Sequence, residues 1–148
     1  MRILVVGATG ILAPVVPRLT VRGDAVTGVA RSAGADIRVD AADAFALSAA
    51  LGSTRWDAAI VYMPATSPTS LRIIDQAVGS VVRLLTSDAA APGRPDPLAS
   101  ASVLLLGWTA DGHHWHTPEE VSDAAIAVLD SGESAMLGVV RPWSDRPG

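Results

Sequence analysis

The sequence contains no cysteine and no lysine, and each absence excludes chemistry. Without cysteine there are no disulfides, no thiolate nucleophile and no sulfur-ligated metal. All 11 basic residues are arginines, so an ammonium general acid, a Schiff-base lysine and a phosphate-loop lysine are excluded as well. Any catalysis therefore has to use hydroxyl, imidazole or carboxyl groups, or the chemistry of a cofactor.

Strong positive charge and long apolar runs are also lacking. The formal net charge of −4 argues against a nucleic-acid surface. No window reaches the roughly 18 uninterrupted apolar residues of a spanning helix. Arg2 and the apolar residues after it are broken by glycines and by Pro14, so we interpret them as a strand and a turn, not as a leader. These features predict a cytoplasmic protein that engages neither nucleic acid nor membrane.

The first ten residues predict a nucleotide-binding strand and turn. An apolar run, residues 2–6, meets Gly7 and Gly10, and apolar residues at helical spacing follow at once. Glycines at such a turn let the backbone approach a pyrophosphate, and a following helix directs its N–H groups at the phosphates. The same turn would also arise if glycine served only to pack a helix against a strand.

The rest of the 148 residues alternates strand and helix patterns. Strands are predicted at residues 2–6, 25–30, 37–39, 57–62, 81–86, 102–106 and 136–140. Helices are predicted from residue 12, over 42–51 and 68–78, and from a capping box that begins at Thr117. This alternation predicts an α/β fold with a doubly wound parallel sheet, Rossmann-like, forming a single domain over residues 1–148.

With these elements in order, the chain resembles the short-chain dehydrogenase/reductase family in its extended or atypical branch. That family's turn is Gly-x-x-Gly-x-x-Gly, and this chain has Gly7, Gly10 and Ala13 at the three positions. The resemblance implies a nicotinamide dinucleotide cofactor. It also implies which positions contact that cofactor. Besides the end of the second strand, these are Gly7, Thr9, Gly10, Ile11, Leu12, Asp40, Pro64 and Ala65.

The departures from the family concern catalysis. The family's Tyr-x-x-x-Lys pair is missing, because there is no lysine and Tyr62 comes too early, inside the fourth strand. Residues 88–101 form a proline-rich segment where the family has the helix that carries the pair, so one helix and the substrate-binding insertion are predicted to be lost. Ser87 stands where the family carries its catalytic serine, although turn formation also explains a serine there.

Arg31 and Ser32 follow the second strand, where nicotinamide enzymes choose their cofactor. An acidic residue there binds the adenosine 2′-hydroxyl, whereas arginine accommodates a 2′-phosphate. The pair predicts NADP over NAD, with Ser32 as a second donor; the alternative is a solvated arginine in a loop.

Three histidines, His113, His114 and His116, precede the last helix. They are weak candidates for acid–base catalysis at the mouth of the site. No metal site is predicted, because neighbouring imidazoles on one short loop seldom converge on one centre.

Three functions fit the sequence. The first is an NADP-dependent reductase or dehydrogenase of a small carbonyl or imine compound, using an unusual proton donor. The second is a non-catalytic dinucleotide sensor or regulatory protein, and the third a cofactor-free protein that binds another small molecule on the same fold. A homodimer is compatible with the sequence, but not through the family's usual helices, since one of them is predicted to be deleted.

Overall fold

A computed structural model describes residues 1–100, 102–109, 111, 114–141 and 143–147, with Ser144 described for its backbone alone. Its centre is one parallel sheet with the strand order β3-β2-β1-β4-β5-β6-β7. The strands are β1 Arg2–Val6, β2 Ala25–Ala30, β3 Ile37–Arg38, β4 Trp56–Tyr62, β5 Val78–Thr86, β6 Val103–Leu106 and β7 Ala135–Leu137. The predicted fold class is confirmed.

Four α-helices of the described chain cover the sheet. They are α1 Val15–Val21, α2 Ala44–Leu51, α3 Pro68–Ala77 and α4 Pro118–Ser131. Successive residues of β1 serve opposite faces: Ile3 and Val5 pack with α1 and α4, whereas Leu4 and Val6 pack with α2 and α3. Both faces of β1 are therefore buried, as its continuous apolar run predicts.

The last crossover has the opposite hand from the others. The chain moves in one direction across the sheet from β1 to β2 and in the other direction from β6 to β7. Yet α1 and α4 share a face, where Arg18 of α1 pairs with Asp123 of α4 at 2.7 Å. Because about 98% of such crossovers are right-handed, β6–α4–β7 is the left-handed one. Its helix is consequently absent from the face that carries α2 and α3.

The face opposite α4 is thin over β5 and β6. Between these strands the described residues form two 3₁₀ turns, Ser87–Ala90 and Pro97–Ala99, and no α-helix. The predicted loss of a helix is thus confirmed for all of this segment except residue 101, which lies outside the described residues. A small cluster around Leu105 and Trp108 closes this part of the sheet.

Helix α1 begins later than predicted. Residues 7–14 form consecutive turns, and the first helical residue is Val15. Proline has no N–H group, so Pro14 and Pro17 cannot donate to the carbonyls of Gly10 and Ala13, which are the bonds that would extend the helix backwards. The first i→i−4 bond joins the Arg18 N–H to the Pro14 carbonyl. Pro17 therefore shortens the helix at its start rather than kinking it.

The predicted capping box opens α4. The Thr117 Oγ1 accepts from the Glu120 N–H at 3.2 Å, and the Glu120 carboxylate accepts from the Thr117 N–H at 3.1 Å. The backbone bond from Thr117, with further bonds from His116 and the Thr117 hydroxyl, lowers the pKa of Glu120 below its usual value. The box fixes the position of the segment before α4, which borders the candidate site.

Replacing Glu120 with glutamine is expected to remove an acid-dependent part of the stability. Because the folded state lowers this pKa, the contribution is present above the unfolded value of about 4.3 and is lost as the pH falls through the lower folded value. Urea unfolding from pH 7 to pH 3 should show the parent losing stability relative to Glu120→Gln. Glu133→Gln is the control, because no described residue bonds to the Glu133 carboxylate; an equal effect of both variants would contradict the assignment.

Candidate functional site

The candidate site lies along the carboxyl ends of the strands, at the point where the strand order reverses. From β1 the sheet runs to β2 on one side and to β4 on the other. The loops that follow these strands diverge there and leave a crevice, the usual ligand position in open α/β sheets. Two adjoining cavities occupy it.

The first cavity has a volume of about 510 Å³. It gathers nearly all the residues predicted to bind a cofactor: its lining includes Gly7, Thr9, Gly10, Ile11, Arg31, Ser32, Asp40, Pro64 and Ala65. These residues come from the ends of β1 and β4 and from the loops on both sides of β3. We call this space the adenosine-side cavity.

The two glycines of the turn have different reasons to be glycine. Gly7 has φ +95°, and a Cβ there would lie 3.0 Å from the Cβ of Tyr62. The fold itself therefore requires glycine at this position. Gly10 has an ordinary negative φ, and a Cβ would meet only the Gly7 carbonyl oxygen, at 4.0 Å. The described chain gives no internal reason for glycine at position 10, which borders the cavity.

The turn also has uncommitted N–H groups. Its described backbone bonds use the N–H groups of Gly7, Ala8, Gly10 and Ala13. No described atom accepts from the N–H groups of Thr9, Ile11 and Leu12. Uncommitted amides beside a side-chain-free position form a surface suited to anionic oxygens.

Three of the predicted cofactor residues have particular constraints. Leu12 is 0% exposed as a whole residue and does not line the cavity, so neither its side chain nor its backbone N–H faces this space. The Ser32 hydroxyl bonds to the Thr9 Oγ1 at 2.6 Å, which joins the loop after β2 to the glycine turn. Asp40 accepts from the Ala42 N–H at 3.0 Å through one carboxylate oxygen, which fixes its orientation at the cavity edge.

Arg31 lies exposed at the rim of the adenosine-side cavity. Its carbonyl accepts from the Arg38 Nε at 3.0 Å. Its own guanidinium has no hydrogen-bond partner among the described residues. Sequence reasoning missed the positioning role of Arg38; pairing of β3 with β2 was the signal, because it places Arg38 beside Ala30.

The second cavity, of about 440 Å³, shares Ile11 and Tyr62 with the first. The loops after β5 and β6, the start of α4 and the C-terminal segment line the rest of it. Tyr62 is the last residue of β4 and borders both cavities. We call this space the substrate-side cavity.

Ser87 begins the 3₁₀ turn after β5 and lines the substrate-side cavity together with Thr86. The residue is only 4% exposed, and no described residue bonds to its hydroxyl. A ligand bound in this cavity would therefore lie beside Ser87.

The histidines are placed differently from one another. His116 lines the substrate-side cavity, but its Nδ1 lies 3.1 Å from Glu120 and its Nε2 is buried without a described partner. That Nε2 packs against Gly138, where an added Cβ would lie 2.4 Å from it. Neither nitrogen is presented to the cavity, which weighs against His116 as its proton donor. His114 does not line the cavity, and His113 lies outside the described residues.

Sequence reasoning assigned no ligand contact to Trp115 or Arg146 and considered Asp88 only together with Ser87; all three line the substrate-side cavity. Arg146 lies in the C-terminal segment, with its guanidinium carbon 4.1 Å from the centre of the Trp143 ring. No motif marked these residues, because they come from three distant segments that only the fold unites. The sequence did offer one indication, because each of the three segments follows the carboxyl end of a predicted strand.

Among the described residues, no group of three or more histidine, aspartate or glutamate side chains could hold a metal ion. No helix in the described part of the chain is long and apolar enough to cross a membrane.

No protein-family model and no curated protein matches the sequence. Solved structures do share its fold. A 3-alpha-hydroxysteroid dehydrogenase from Pseudomonas sp. B-0831, complexed with NADH, superposes with a TM-score of 0.71 at 15% identity, over 95% of this chain and 96% of that one. An oxidoreductase of the short-chain dehydrogenase/reductase family from Burkholderia thailandensis gives 0.67 at 17% identity, over 96% and 92%.

The enzyme WbmH from Bordetella bronchiseptica, in complex with NAD+, gives a TM-score of 0.60 at 12% identity, over 92% of this chain and 74% of that one. At such identities the likeness establishes the fold. The chain has the Rossmann-like fold of short-chain dehydrogenase/reductase structures, as its ordered motifs predicted.

Proposed function

We propose that the protein binds a nicotinamide dinucleotide across the two cavities, prefers NADP over NAD, and acts as an oxidoreductase on a small carbonyl or imine compound. The observation that carries the proposal is Gly10. It has no side chain although the described chain leaves room for one, and it borders a cavity beside uncommitted N–H groups. Because no part of the described chain fills the space beside Gly10, we expect this space to accommodate a ligand.

The adenosine half of the cofactor fits the first cavity. The open position at Gly10 and the N–H groups of Thr9 and Ile11 would hold the pyrophosphate. Arg31 would bind the 2′-phosphate, because its guanidinium is exposed and unpartnered among the described residues. Asp40 and the segment with Pro64 and Ala65 would border the adenine and ribose.

The nicotinamide half fits the junction of the two cavities, between Ile11 and Tyr62. The bound cofactor would supply hydride transfer, and the protein would supply orientation. Reduction of a carbonyl also places one proton on oxygen. Tyr62 and Ser87 line the same space and each carries a hydroxyl, whereas the His116 Nε2 is buried and its Nδ1 lies beside Glu120. The proton would therefore come from a hydroxyl or from water.

A non-catalytic dinucleotide sensor is the second candidate. The lack of lysine and the placement of the His116 nitrogens favour it, since among the described residues they leave the substrate-side cavity without an imidazole or ammonium donor. Consumption of NADPH with a panel of small carbonyl compounds separates the two functions. Turnover supports the oxidoreductase, and tight cofactor binding without turnover supports the sensor.

Replacing Arg31 with alanine is expected to abolish the preference for NADPH. A hydrogen bond to a charged group contributes about 1.5–3 kcal/mol, so affinity for NADPH should fall roughly 10- to 150-fold while affinity for NADH stays nearly constant. Calorimetric titration of both cofactors measures this.

Arg55→Ala is the matched control for Arg31. Arg55 is exposed and has no described hydrogen bond. It immediately precedes β4, at the opposite end of the strands from the two cavities. Equal affinity of the parent protein for NADPH and NADH would reject the preference. If neither cofactor binds at millimolar concentration, the cofactor-free alternative replaces this proposal.

A further inference from the structure

Two opposite charges line the substrate-side cavity without pairing. Asp88 lies in the 3₁₀ turn after β5, and Arg146 follows the 3₁₀ turn Trp143–Asp145 at the end of the chain. Among the described residues, no ion pair or hydrogen bond joins either side chain to the other or to any further residue. Both charges are therefore available to a ligand.

The position of Arg146 is defined by an aromatic ring. Its guanidinium carbon lies 4.1 Å from the centre of the Trp143 ring, a cation–π contact that orients the planar group without using its N–H donors. An arginine held by one face in this way keeps its N–H fork for a carboxylate, which it binds in a bidentate manner.

The same cavity has an apolar wall. Leu106 and Val121 are nearly fully buried beneath it, while Trp115 is 45% exposed at its edge. Trp115 meets Trp108 edge to face, with ring centres 6.1 Å apart at an angle of 82°. An exposed tryptophan held by a buried one provides a fixed surface for an apolar or aromatic ligand body.

We propose that the substrate-side cavity recognises a small zwitterion with an apolar body, the chemical class of apolar α-amino acids. Its carboxylate would bind Arg146, its ammonium group would bind Asp88, and its side chain would pack on Trp115. A molecule with both charges satisfies both free groups, whereas a singly charged molecule leaves one unsatisfied. The inference concerns binding; its use as a redox substrate rests on the proposed function.

Three ligands of similar shape test whether both charges of the cavity contribute to binding. They are L-phenylalanine, 3-phenylpropanoate, which lacks the amine, and 2-phenylethylamine, which lacks the carboxylate. Calorimetry on the full chain, with and without NADPH, should show L-phenylalanine binding at least tenfold more tightly than either analogue. Equal affinities, or no binding of any of the three, would overturn the proposal.

Two variants test which charged residue binds which group of the ligand. Arg146→Met should weaken L-phenylalanine binding at least tenfold and leave 2-phenylethylamine unchanged, while Asp88→Asn should weaken L-phenylalanine and leave 3-phenylpropanoate no weaker. Arg55→Met and Glu133→Gln are the matched controls and should bind all three like the parent. Variants at 88 and 146 that behave like these controls would also overturn the proposal.

Titration of NADPH in the same preparations separates the two proposals. If NADPH binds and L-phenylalanine does not, the zwitterion site fails while the proposed function stands. If L-phenylalanine binds with the predicted charge dependence and NADPH does not, the proposed function fails while the zwitterion site stands.

Discussion

Replacing Gly10 with alanine is expected to remove most of the NADPH affinity while leaving the fold intact. The added methyl group meets nothing of the described chain within 4 Å except the Gly7 carbonyl oxygen at that distance, so it would point into the space assigned to the pyrophosphate. Overpacking typically costs about 1–3 kcal/mol, a weakening of roughly 5- to 150-fold. Calorimetric titration measures the affinity.

The stability of this variant should change in the opposite direction. Alanine at a position with negative φ reduces the freedom of the unfolded chain and commonly stabilises by about 0.4–1 kcal/mol. Gly132→Ala is the control for cofactor affinity, because Gly132 ends α4 outside the cavity lining and nothing lies within 4 Å of an added Cβ. NADPH affinity in Gly10→Ala equal to that of the control would mean that the turn does not hold phosphate.

Replacing Gly7 with alanine is expected to destabilise the fold strongly. The residue would be held at φ +95° and its Cβ would lie 3.0 Å from the Cβ of Tyr62. Left-handed backbone costs a non-glycine residue about 1–2 kcal/mol, and the crowding adds about 1–3 kcal/mol. Urea unfolding should therefore show a loss of roughly 2–5 kcal/mol in the free energy of unfolding.

Gly132→Ala separates the two causes. Gly132 ends α4 at φ +73° with nothing within 4 Å of an added Cβ, so its replacement should cost the backbone term alone, about 1–2 kcal/mol. If Gly7→Ala were no more destabilising than Gly132→Ala, the contact with Tyr62 would not constrain the turn. The pair Gly7 and Gly10 thus divides one motif into a structural glycine and a ligand-facing glycine.

The sheet and most element positions were predictable because buried parallel strands leave a continuous apolar pattern. The run of β1 and the capping box at Thr117 were read directly from local sequence. The start of α1 was not, because helical spacing of apolar residues begins at Leu12, whereas two prolines remove the bonds that a helix would need there. In that case hydrogen bonding decided the boundary, and the apolar pattern did not.

The adenosine-side cavity was predictable in composition because its residues follow consecutive strands in a known order. The substrate-side cavity was not. Asp88, Trp115 and Arg146 are far apart in sequence and are united by the carboxyl ends of β5 and β6 and by the segment after β7. The histidines illustrate the converse: they are adjacent in sequence, yet His116 alone of the two described ones borders the cavity.

A crystal structure of the protein soaked with NADPH tests the central claim most directly. The account predicts that the pyrophosphate lies over Gly10, that the 2′-phosphate contacts Arg31, and that the nicotinamide ring enters the space between Ile11 and Tyr62. Crystals soaked at millimolar NADPH with an empty groove, or with the dinucleotide bound elsewhere on the molecule, would contradict it.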